Sequence, residues 1–150
     1  MADTTDANGS TAVLRPMLQR DRASALLGMR VEVDEPGRAV VSMLVREDMA
    51  NGFGITHGGL VFALADTTFA IICNEDERVT VAGGADITFL KSTVPGQVLT
   101  ATGVRRALNG RSGLYDITVV DETGDVVAEF RGRSITTNRA VPDAAPEENA

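Results

Sequence analysis

The first part of the chain repeats its apolar positions with two different periods. Residues 14–27 place apolar side chains at helical spacing up to Gly28, which predicts an amphipathic helix. Residues 29–34 alternate apolar and polar side chains, a turn that contains Pro36 and Gly37 follows, and residues 39–45 are suited to a returning strand, which together predict a β-hairpin. We therefore expect one helix followed by two antiparallel strands.

Residues 57–74 differ from this, because apolar side chains occupy nearly every position of a helix-length segment. A helix that is apolar on all sides is a buried helix rather than a surface one. The segment contains one acidic residue, Asp66, and no Lys or Arg lies one helical turn away from it. The pattern predicts a long central helix that carries a lone carboxylate.

The second half of the chain predicts four strands, at residues 79–90, 98–107, 113–120 and 126–136. The pair Asn109-Gly110 is a strong signal for a tight hairpin turn. Gly83-Gly84, inside the first of these strands, predicts a bulge or a close approach of another part of the chain. We expect the four strands to follow one another as a meander.

These elements predict an α+β domain of the hotdog architecture, in which one antiparallel sheet wraps around a long central helix. One sheet cannot cover that helix on all sides, so its remaining apolar face should meet a second subunit. We expect a homodimer, which can dimerise again into a tetramer. The domain is predicted at residues 13–138, between small, polar and disordered tails at 1–12 and 139–150.

Composition excludes several classes of function. The chain has 150 residues and a formal charge of −7, so it is not a general nucleic-acid binder. We expect no membrane partner, because no apolar run is long enough to span a bilayer, and the N-terminus shows no secretion signal. With one histidine, one cysteine and no CxxC, HExxH or phosphate-binding glycine loop, we expect no metal, cofactor or disulfide. Cys73 is interpreted as a small core residue of a cytoplasmic protein.

The residues suited to chemistry are concentrated between Asn51 and Asp66, with His57-Gly58-Gly59 between them. A glycine-rich helix entry leaves backbone N–H groups free to polarise an oxygen that gains negative charge. A carboxylate buried in apolar surroundings has a raised pKa, which suits a general base. This combination is typical of attack on a carbonyl group.

A wider set of motifs surrounds these residues: Asn51-Gly52, His57-Gly58-Gly59, Leu64-Ala65-Asp66-Thr67, Cys73-Asn74 and the segments 86–91, 113–117 and 130–134. Together they resemble the hotdog thioesterases of the phenylacetate-degradation type, the PaaI family, over roughly residues 14–136. The resemblance implies hydrolysis of an aromatic or related acyl-coenzyme A thioester to the free acid and coenzyme A, without a metal or cofactor.

The resemblance also implies roles for single residues. Asp66 would be the catalytic carboxylate, either as a nucleophile or as a general base for water. The Gly58 N–H would polarise the thioester carbonyl, and Asn51 would orient the water or the substrate. Further expected substrate contacts are His57, Gly59, Phe53, Lys91 and Arg133. Lys91, Arg131 and Arg133 are candidate partners of the coenzyme A phosphates, because they lie at the ends of predicted strands.

The chain departs from the family pattern at two places. Phe53 stands where many relatives carry a polar residue, which bears on the acyl pocket. Ser92-Thr93 replaces a more usual Pro-Gly after Lys91, which bears on the contacts to coenzyme A. Four aromatic side chains could line an acyl pocket or simply pack in the core: Phe53, Phe62, Phe69 and Tyr115.

Each assignment has a structural alternative from the sequence alone. Asp66 could stabilise packing, His57 could cap the helix, Gly58 could only permit a tight turn, and Asn51 could be a turn residue. Two other functions also stay open. A hydratase or dehydratase of acyl thioesters would need an Asp–His pair around the acyl chain, and a non-catalytic acyl-coenzyme A-binding module would not need Asp66.

Helix geometry adds a constraint on the site. Gly58 and Asp66 are eight positions apart, which is roughly 12 Å along a helix axis. The reacting atoms must approach to about 3–3.5 Å, so one thioester carbonyl cannot contact both groups on the same helix. Two antiparallel helices from two subunits would place Gly58 of one beside Asp66 of the other. The sequence therefore predicts an active site that two subunits share.

Overall fold

A six-stranded antiparallel sheet packed against one long helix forms the centre of the molecule, whose computed structural model describes residues 15–142. The helices are α1 (Pro16–Gln19), α2 (Arg22–Leu26) and α3 (Gly58–Cys73). The strands are β1 (Arg30–Glu35), β2 (Arg38–Leu44), β3 (Arg78–Phe89), β4 (Val98–Asn109), β5 (Ser112–Val120) and β6 (Val126–Ala140), and a short 3-10 helix spans Glu47–Met49. α3 contacts all six strands, so the predicted hotdog architecture is confirmed.

The strands are arranged in the order β1-β2-β4-β5-β6-β3. Only β4, β5 and β6 form a meander, and the predicted meander of four strands was wrong for β3. The chain leaves β2, crosses the sheet as α3 and enters β3 at the far edge, where β3 pairs with β6. A local pattern of alternation identifies a strand but does not reveal which edge it joins after such a crossing.

The inner face of the sheet and α3 together form the core. Alternation along the strands turns Val41, Leu99, Ile117 and Phe130 toward the helix, and each of them is fully buried or nearly so. Gly103 and Gly132 lie where side chains of α3 press on the sheet, because a Cβ atom would lie 2.8 Å from Ile72 at the first and 2.8 Å from the ring of Phe69 at the second. The sheet can therefore wrap tightly around the helix only where side chains are missing.

The predicted bulge in β3 is confirmed. The pairing register of β3 with β6 shifts between Ala82 and Gly84. Such a bulge bends an edge strand and increases its twist. The β4–β5 hairpin is also present, although its two-residue loop is Gly110-Arg111 between the paired Asn109 and Ser112. Gly110 has a φ of +58°, which favours glycine.

The predicted single helix at 14–27 was wrong, because two short helices occupy this segment. Asp21 ends the continuity, since its side chain accepts a hydrogen bond of 3.0 Å from the Ser24 N–H and so caps α2. Gly28 follows α2 with a φ of +68°. Leu14 lies outside the described residues.

The end of the domain predicted from the sequence, residue 138, lies before the end of the last strand. β6 continues to Ala140, so its last residues fall within the predicted C-terminal tail. The Val141 N–H donates a 2.8 Å hydrogen bond to the Glu77 carbonyl, which ties this end of the chain to the segment before β3. The predicted tail at 1–12 and the segment 143–150 lie outside the described residues.

One face of α3 is left partly uncovered by the sheet. Gly59, Ala63, Asp66 and Ala70 share this face at intervals of three and four residues, and none of them is fully buried. The opposite face, which includes Leu64 and Ile71, is completely buried. Asp66 thus lies in the middle of a stripe of small residues. Within residues 15–142, no helix has the length and apolar character needed to cross a membrane.

Candidate active site

Asp66 sits near the middle of α3 on the uncovered stripe. Its side chain is half-buried, and it makes no hydrogen bond or salt bridge to any residue in the described range 15–142. Burial raises the pKa of the Asp66 carboxyl above its ordinary value of 3.8, as expected for a carboxylate with apolar neighbours. A structural acid would be paired, so the packing role considered for Asp66 is not the one that this environment favours.

The N-terminus of α3 is built by His57 and two glycines. His57 is the N-cap residue, and its Nδ1 accepts a 2.9 Å hydrogen bond from the Gly59 N–H. The helix-capping alternative for His57 is therefore what the structure contains. Because this hydrogen bond occupies the Gly59 N–H, that N–H is not free to donate to a substrate.

The Gly58 N–H, in contrast, has no acceptor among the described residues. It is the first helical N–H of α3, where no carbonyl lies one turn before it. Gly58 also borders a cavity of about 240 Å³. A free N–H at a helix N-terminus that faces a cavity is suited to polarise a carbonyl oxygen.

Asn51 shapes the loop that leads into α3. Its Oδ1 accepts hydrogen bonds from the Phe53 N–H at 2.9 Å and from the Ile55 N–H at 3.3 Å, so the turn role is real. Asn51 also lines the same cavity as Gly58. The Nδ2 amide makes no hydrogen bond to a described residue, so it remains able to orient a water or a substrate.

The aromatic candidates separate into different environments. Phe69 and Tyr115 belong to the core, with ring centroids 5.4 Å apart, and Phe62 packs edge-on against Phe130 at 5.3 Å. Phe53 is 91 % exposed at the tip of the loop and does not line the cavity. None of the four predicted aromatic residues therefore forms the wall of this cavity within one subunit.

The aromatic wall of the cavity is Phe89, which the sequence analysis missed. A Cβ atom at Gly58 would lie 3.2 Å from Cζ of the Phe89 ring, so the ring stands directly over the start of α3. Phe89 ends β3 and is 53 % exposed. The available signal was the motif segment 86–91, but only the fold brings its phenylalanine to the glycine of another motif.

Two buried threonines on the cavity wall were also missed as functional candidates. Thr56 precedes α3 and Thr93 follows β3, and their hydroxyl oxygens are 2.7 Å apart. The Thr56 N–H also donates a 2.8 Å hydrogen bond to the Thr93 carbonyl. These contacts fix the helix-entry loop against the loop between β3 and β4.

The predicted basic residues do not form one cluster in the subunit. Lys91 donates to Asp121 at 2.6 Å and to Asp125 at 2.7 Å, and these bonds raise the pKa of Lys91 and lower that of Asp121. Arg133 pairs across the strands with Gly84, on the order of 20 Å along β3 from Lys91.

Two of the arginines of β6, Arg131 and Arg133, are also paired with acids. Arg133 donates to Asp86 at 2.7 Å. Arg131 makes two hydrogen bonds to Asp116, at 2.7 and 2.9 Å, and these bonds lower the pKa of Asp116. A phosphate would have to displace or share these carboxylates.

The structure brings Gly58, Asn51 and Lys91 to one cavity but leaves Asp66 outside it. Asp66 does not line this cavity and lies on the uncovered stripe of α3. Within residues 15–142, no group of His, Cys, Asp and Glu is arranged to hold a metal ion. The arrangement therefore presents a polarising donor at one place and a carboxylate at another.

The free helix N-terminus and the unpaired carboxylate on the central helix are groups suited to attack on a carbonyl carbon. Comparison with known proteins gives the class of protein. The profile of the thioesterase superfamily matches residues 53–128. The chain belongs to the thioesterase superfamily.

Individual members of this superfamily are similar to the chain over most of its length. The chain is 40 % identical over 118 residues to the acyl-coenzyme A thioesterase PaaI of Escherichia coli K12, which covers 79 % of this chain and 84 % of that protein. The structure of E. coli PaaI, from the phenylacetic acid degradation operon, superimposes with a TM-score of 0.81 at 37 % identity, over 84 % of this chain and 91 % of that one. A mutant structure of the phenylacetic acid degradation protein PaaI from Thermus thermophilus gives a TM-score of 0.74 at 33 % identity, over 78 % and 100 % of the two chains. The predicted resemblance to PaaI-type hotdog thioesterases is confirmed, and the protein is an enzyme of the thioester-hydrolase class.

Proposed function

We propose that this enzyme hydrolyses an aromatic acyl-coenzyme A, of the phenylacetyl type or a hydroxylated relative, to the free acid and coenzyme A. The observation that carries the proposal is the unpaired, half-buried Asp66 on the same helix whose N-terminus offers the free Gly58 N–H. The names of the E. coli and T. thermophilus relatives, which refer to phenylacetic acid, support the aromatic acyl group. Phe89, over the start of α3, offers an aromatic wall for such a group.

In the proposed reaction, the thioester carbonyl oxygen accepts a hydrogen bond from the Gly58 N–H. Asp66 takes a proton from a water molecule while the water oxygen attacks the carbonyl carbon, which gives a tetrahedral oxyanion that the Gly58 N–H stabilises. The carbon–sulfur bond then breaks, and the coenzyme A thiolate leaves and takes up a proton. Direct attack by Asp66 is the second route. It would form an anhydride that water hydrolyses afterwards.

The site is proposed to form between two subunits, because one subunit cannot complete it. The uncovered stripe of α3 places Gly59, Ala63 and Ala70 around Asp66, and such small residues allow another helix to approach closely. β3 lies at the edge of the sheet with 12 residues, and it is paired on one side only, with β6. An unpaired strand of this length is a template for pairing with another chain.

Two copies joined along β3 would form one continuous sheet and would bring the two α3 helices together on its inner side. A twofold axis would then set the helices antiparallel, with Gly58 of one near Asp66 of the other. Each homodimer would contain two composite sites, and a dimer of dimers would contain four. The same two surfaces thus support the prediction of a homo-oligomer.

The remaining substrate contacts belong to the proposal as well. Phe53, His57 and Gly59 lie on the loop and first turn around Gly58, where a substrate held by Gly58 would pass. Of the three cations proposed for the coenzyme A phosphates, Arg133 is the strongest candidate, because its partner Asp86 is exposed and such surface pairs exchange at little cost. Lys91 is held by two carboxylates. The free, buried Cys73 is compatible with the reducing cytoplasm, where the proposal places the enzyme.

The two rival functions fit the structure less well. A hydratase or dehydratase would need a histidine beside the acyl chain. His57, the one histidine, has its Nδ1 occupied by the Gly59 N–H. A non-catalytic binding module would have no use for an unpaired carboxylate whose pKa is raised, because burying that charge costs free energy.

A panel of acyl-coenzyme A esters separates these functions, with thiol release followed by a thiol reagent. Arylacetyl and hydroxylated arylacetyl esters are expected to be hydrolysed with higher kcat/KM than aliphatic esters of similar length. Hydration of an enoyl ester without thiol release would instead identify the hydratase. Binding without any turnover across the panel would identify the binding module.

A further inference from the structure

The hydroxyl pair of Thr56 and Thr93 is buried in the wall of the cavity beside Gly58. The two residues are 6 % and 2 % exposed, and both line the cavity together with Gly58. They lie 37 positions apart in the chain, yet their oxygens are 2.7 Å apart. Two polar side chains this deeply buried are expected to have all of their protons engaged.

Within the described part of the subunit, one of the two hydroxyl protons of the pair has no hydrogen-bond acceptor. Each threonine hydroxyl carries one proton and can accept two hydrogen bonds. One hydroxyl donates to the other, and the second proton then needs a separate acceptor. The only hydrogen bond that either hydroxyl makes to a described residue is the one between them. One O–H group is therefore left to donate elsewhere, and a buried donor without an acceptor is costly.

The cavity is the place where that acceptor can be. The cavity is also lined by apolar residues and by three polar or charged ones: Ile55, Val61, Phe89, Leu90 and Val127, and Asn51, Lys91 and Ser92. At about 240 Å³, the cavity is large enough to hold several heavy atoms of a ligand but not a whole acyl-coenzyme A. A group bound here would lie next to the Gly58 N–H.

We propose that the Thr56–Thr93 pair is a subsite that donates one hydrogen bond to an acceptor oxygen of the substrate, within a few ångströms of the thioester. This inference rests on the proposed function, since it assumes that the thioester carbonyl lies at Gly58. Two oxygens of an acyl-coenzyme A are at a suitable distance from that carbonyl. One is a hydroxyl on the acyl group, and the other is the amide oxygen of the coenzyme nearest the sulfur.

Thr93 supplies the hydroxyl that pairs with Thr56, and both residues line the cavity beside Gly58. Specificity set by such a donor is strong, because a substrate without the acceptor leaves the donor unpaired.

The test uses stable ligands, so that it does not depend on turnover. S-phenacyl coenzyme A keeps an aryl ketone on a thioether, and its ring-hydroxylated form adds the acyl hydroxyl. Binding to the full-length protein is measured by calorimetry for the wild type, Thr56→Val and Thr93→Val. Val keeps the shape of Thr and removes the hydroxyl. Thr136→Val is the matched control, because Thr80 and Thr136 form a similar hydroxyl pair at 2.9 Å that does not line this cavity.

Both cavity variants are expected to weaken binding by about 3- to 10-fold, the value of one neutral hydrogen bond. A loss confined to the hydroxylated ligand assigns the acceptor to the acyl group. An equal loss for both ligands assigns it to the coenzyme amide. Thr93→Ser, which keeps the hydroxyl, should bind as the wild type does. If neither cavity variant weakens binding more than Thr136→Val does, the subsite is rejected.

The proposed function and the proposed subsite can be rejected separately. Absence of thiol release by the wild type from every ester in the panel would reject the proposed function. The calorimetric comparison would still decide whether the hydroxyl pair contacts a bound ligand. If a Val variant does not fold, as judged by circular dichroism, Thr93→Ala replaces it, because Ala at this loop position removes the hydroxyl with no added volume.

Discussion

The two functional regions of α3 differ in how complete they are within one subunit. At its N-terminus, His57 caps the helix, Thr56 is hydrogen-bonded to Thr93, and Gly58 faces a formed cavity. In its middle, Asp66 has no partner in the described chain and lies on a face that the sheet does not cover. The first region is therefore preorganised within one subunit, whereas the carboxylate of the second region lacks a contacting surface among the described residues. This difference is the basis of the proposal that the carboxylate completes the cavity of a neighbouring subunit.

The largest expected effect is loss of catalysis in Asp66→Asn. Asn keeps the shape of the side chain but cannot accept a proton from water, so kcat should fall by at least about 10²-fold. Steady-state kinetics on the best ester of the panel measures this. KM should change much less, because the lining of the Gly58 cavity does not include Asp66.

The same variant controls for folding. A raised pKa means that the folded state binds the Asp66 proton more tightly than the unfolded state does. Above the unfolded pKa, the ionised carboxylate therefore lowers the free energy of unfolding. Asp66→Asn removes this cost and should melt no lower than the wild type at neutral pH. Near-normal turnover in a folded Asp66→Asn would remove Asp66 from the mechanism.

The second prediction separates the two regions into different subunits. Gly58→Pro removes the N–H at the first helical position, where proline is tolerated. Gly58→Pro and Asp66→Ala homodimers should both be nearly inactive. In a mixed dimer, one site carries both changes and the other carries neither. Activity should therefore return to as much as half of the wild-type rate per heterodimer.

A matched control exists for the glycine substitution. Gly58→Ala introduces the same Cβ beside the Phe89 ring, 3.2 Å from Cζ, but keeps the N–H. It should retain far more activity than Gly58→Pro, which would assign the loss to the hydrogen-bond donor. Heterodimers are prepared by co-refolding differently tagged chains and confirmed by two-step affinity capture. Confirmed heterodimers that stay inactive would show that the site is not shared.

The third prediction concerns pH. A general base or nucleophile must be ionised, so kcat/KM should be constant above the Asp66 pKa and should fall as pH decreases through it. Burial raises this pKa, so the midpoint of the acid limb should lie above 3.8. The pH dependence of kcat/KM measures the midpoint. A limb that persists unchanged in the residual activity of Asp66→Asn would belong to another group.

The smallest expected effects distinguish two of the three candidate phosphate contacts, Arg133 and Lys91. Arg133→Gln should raise KM by roughly threefold or more at low salt and change kcat little, since its exposed pair with Asp86 leaves it able to bind phosphate. Lys91→Gln should change KM by less than about twofold, because Asp121 and Asp125 already neutralise Lys91. Initial rates at two salt concentrations test both. The reverse order would show that Lys91 exchanges its carboxylates for the coenzyme.

The sequence by itself determined the features that depend on local pattern. The apolar run identified α3 within one residue at each end, and strand-length segments between turn signals identified all six strands. The isolation of Asp66, its raised pKa and the glycine entry at Gly58 were also predictable, because they follow from neighbours along one helix. The capping role of His57 was among the stated alternatives for the same reason.

The tertiary structure alone decided what depends on residues distant in the chain. Four features join segments that are far apart in the chain, so the local sequence pattern could not predict them. They are the position of β3 beside β6, the Phe89 ring over Gly58, the pairing of Thr56 with Thr93 and the neutralisation of Lys91. The break at Asp21 was missed, because a side-chain cap competed with the helical pattern of the flanking residues. The periodicity of apolar positions predicts which way a side chain faces, whereas the path of the folded chain determines which residues it contacts.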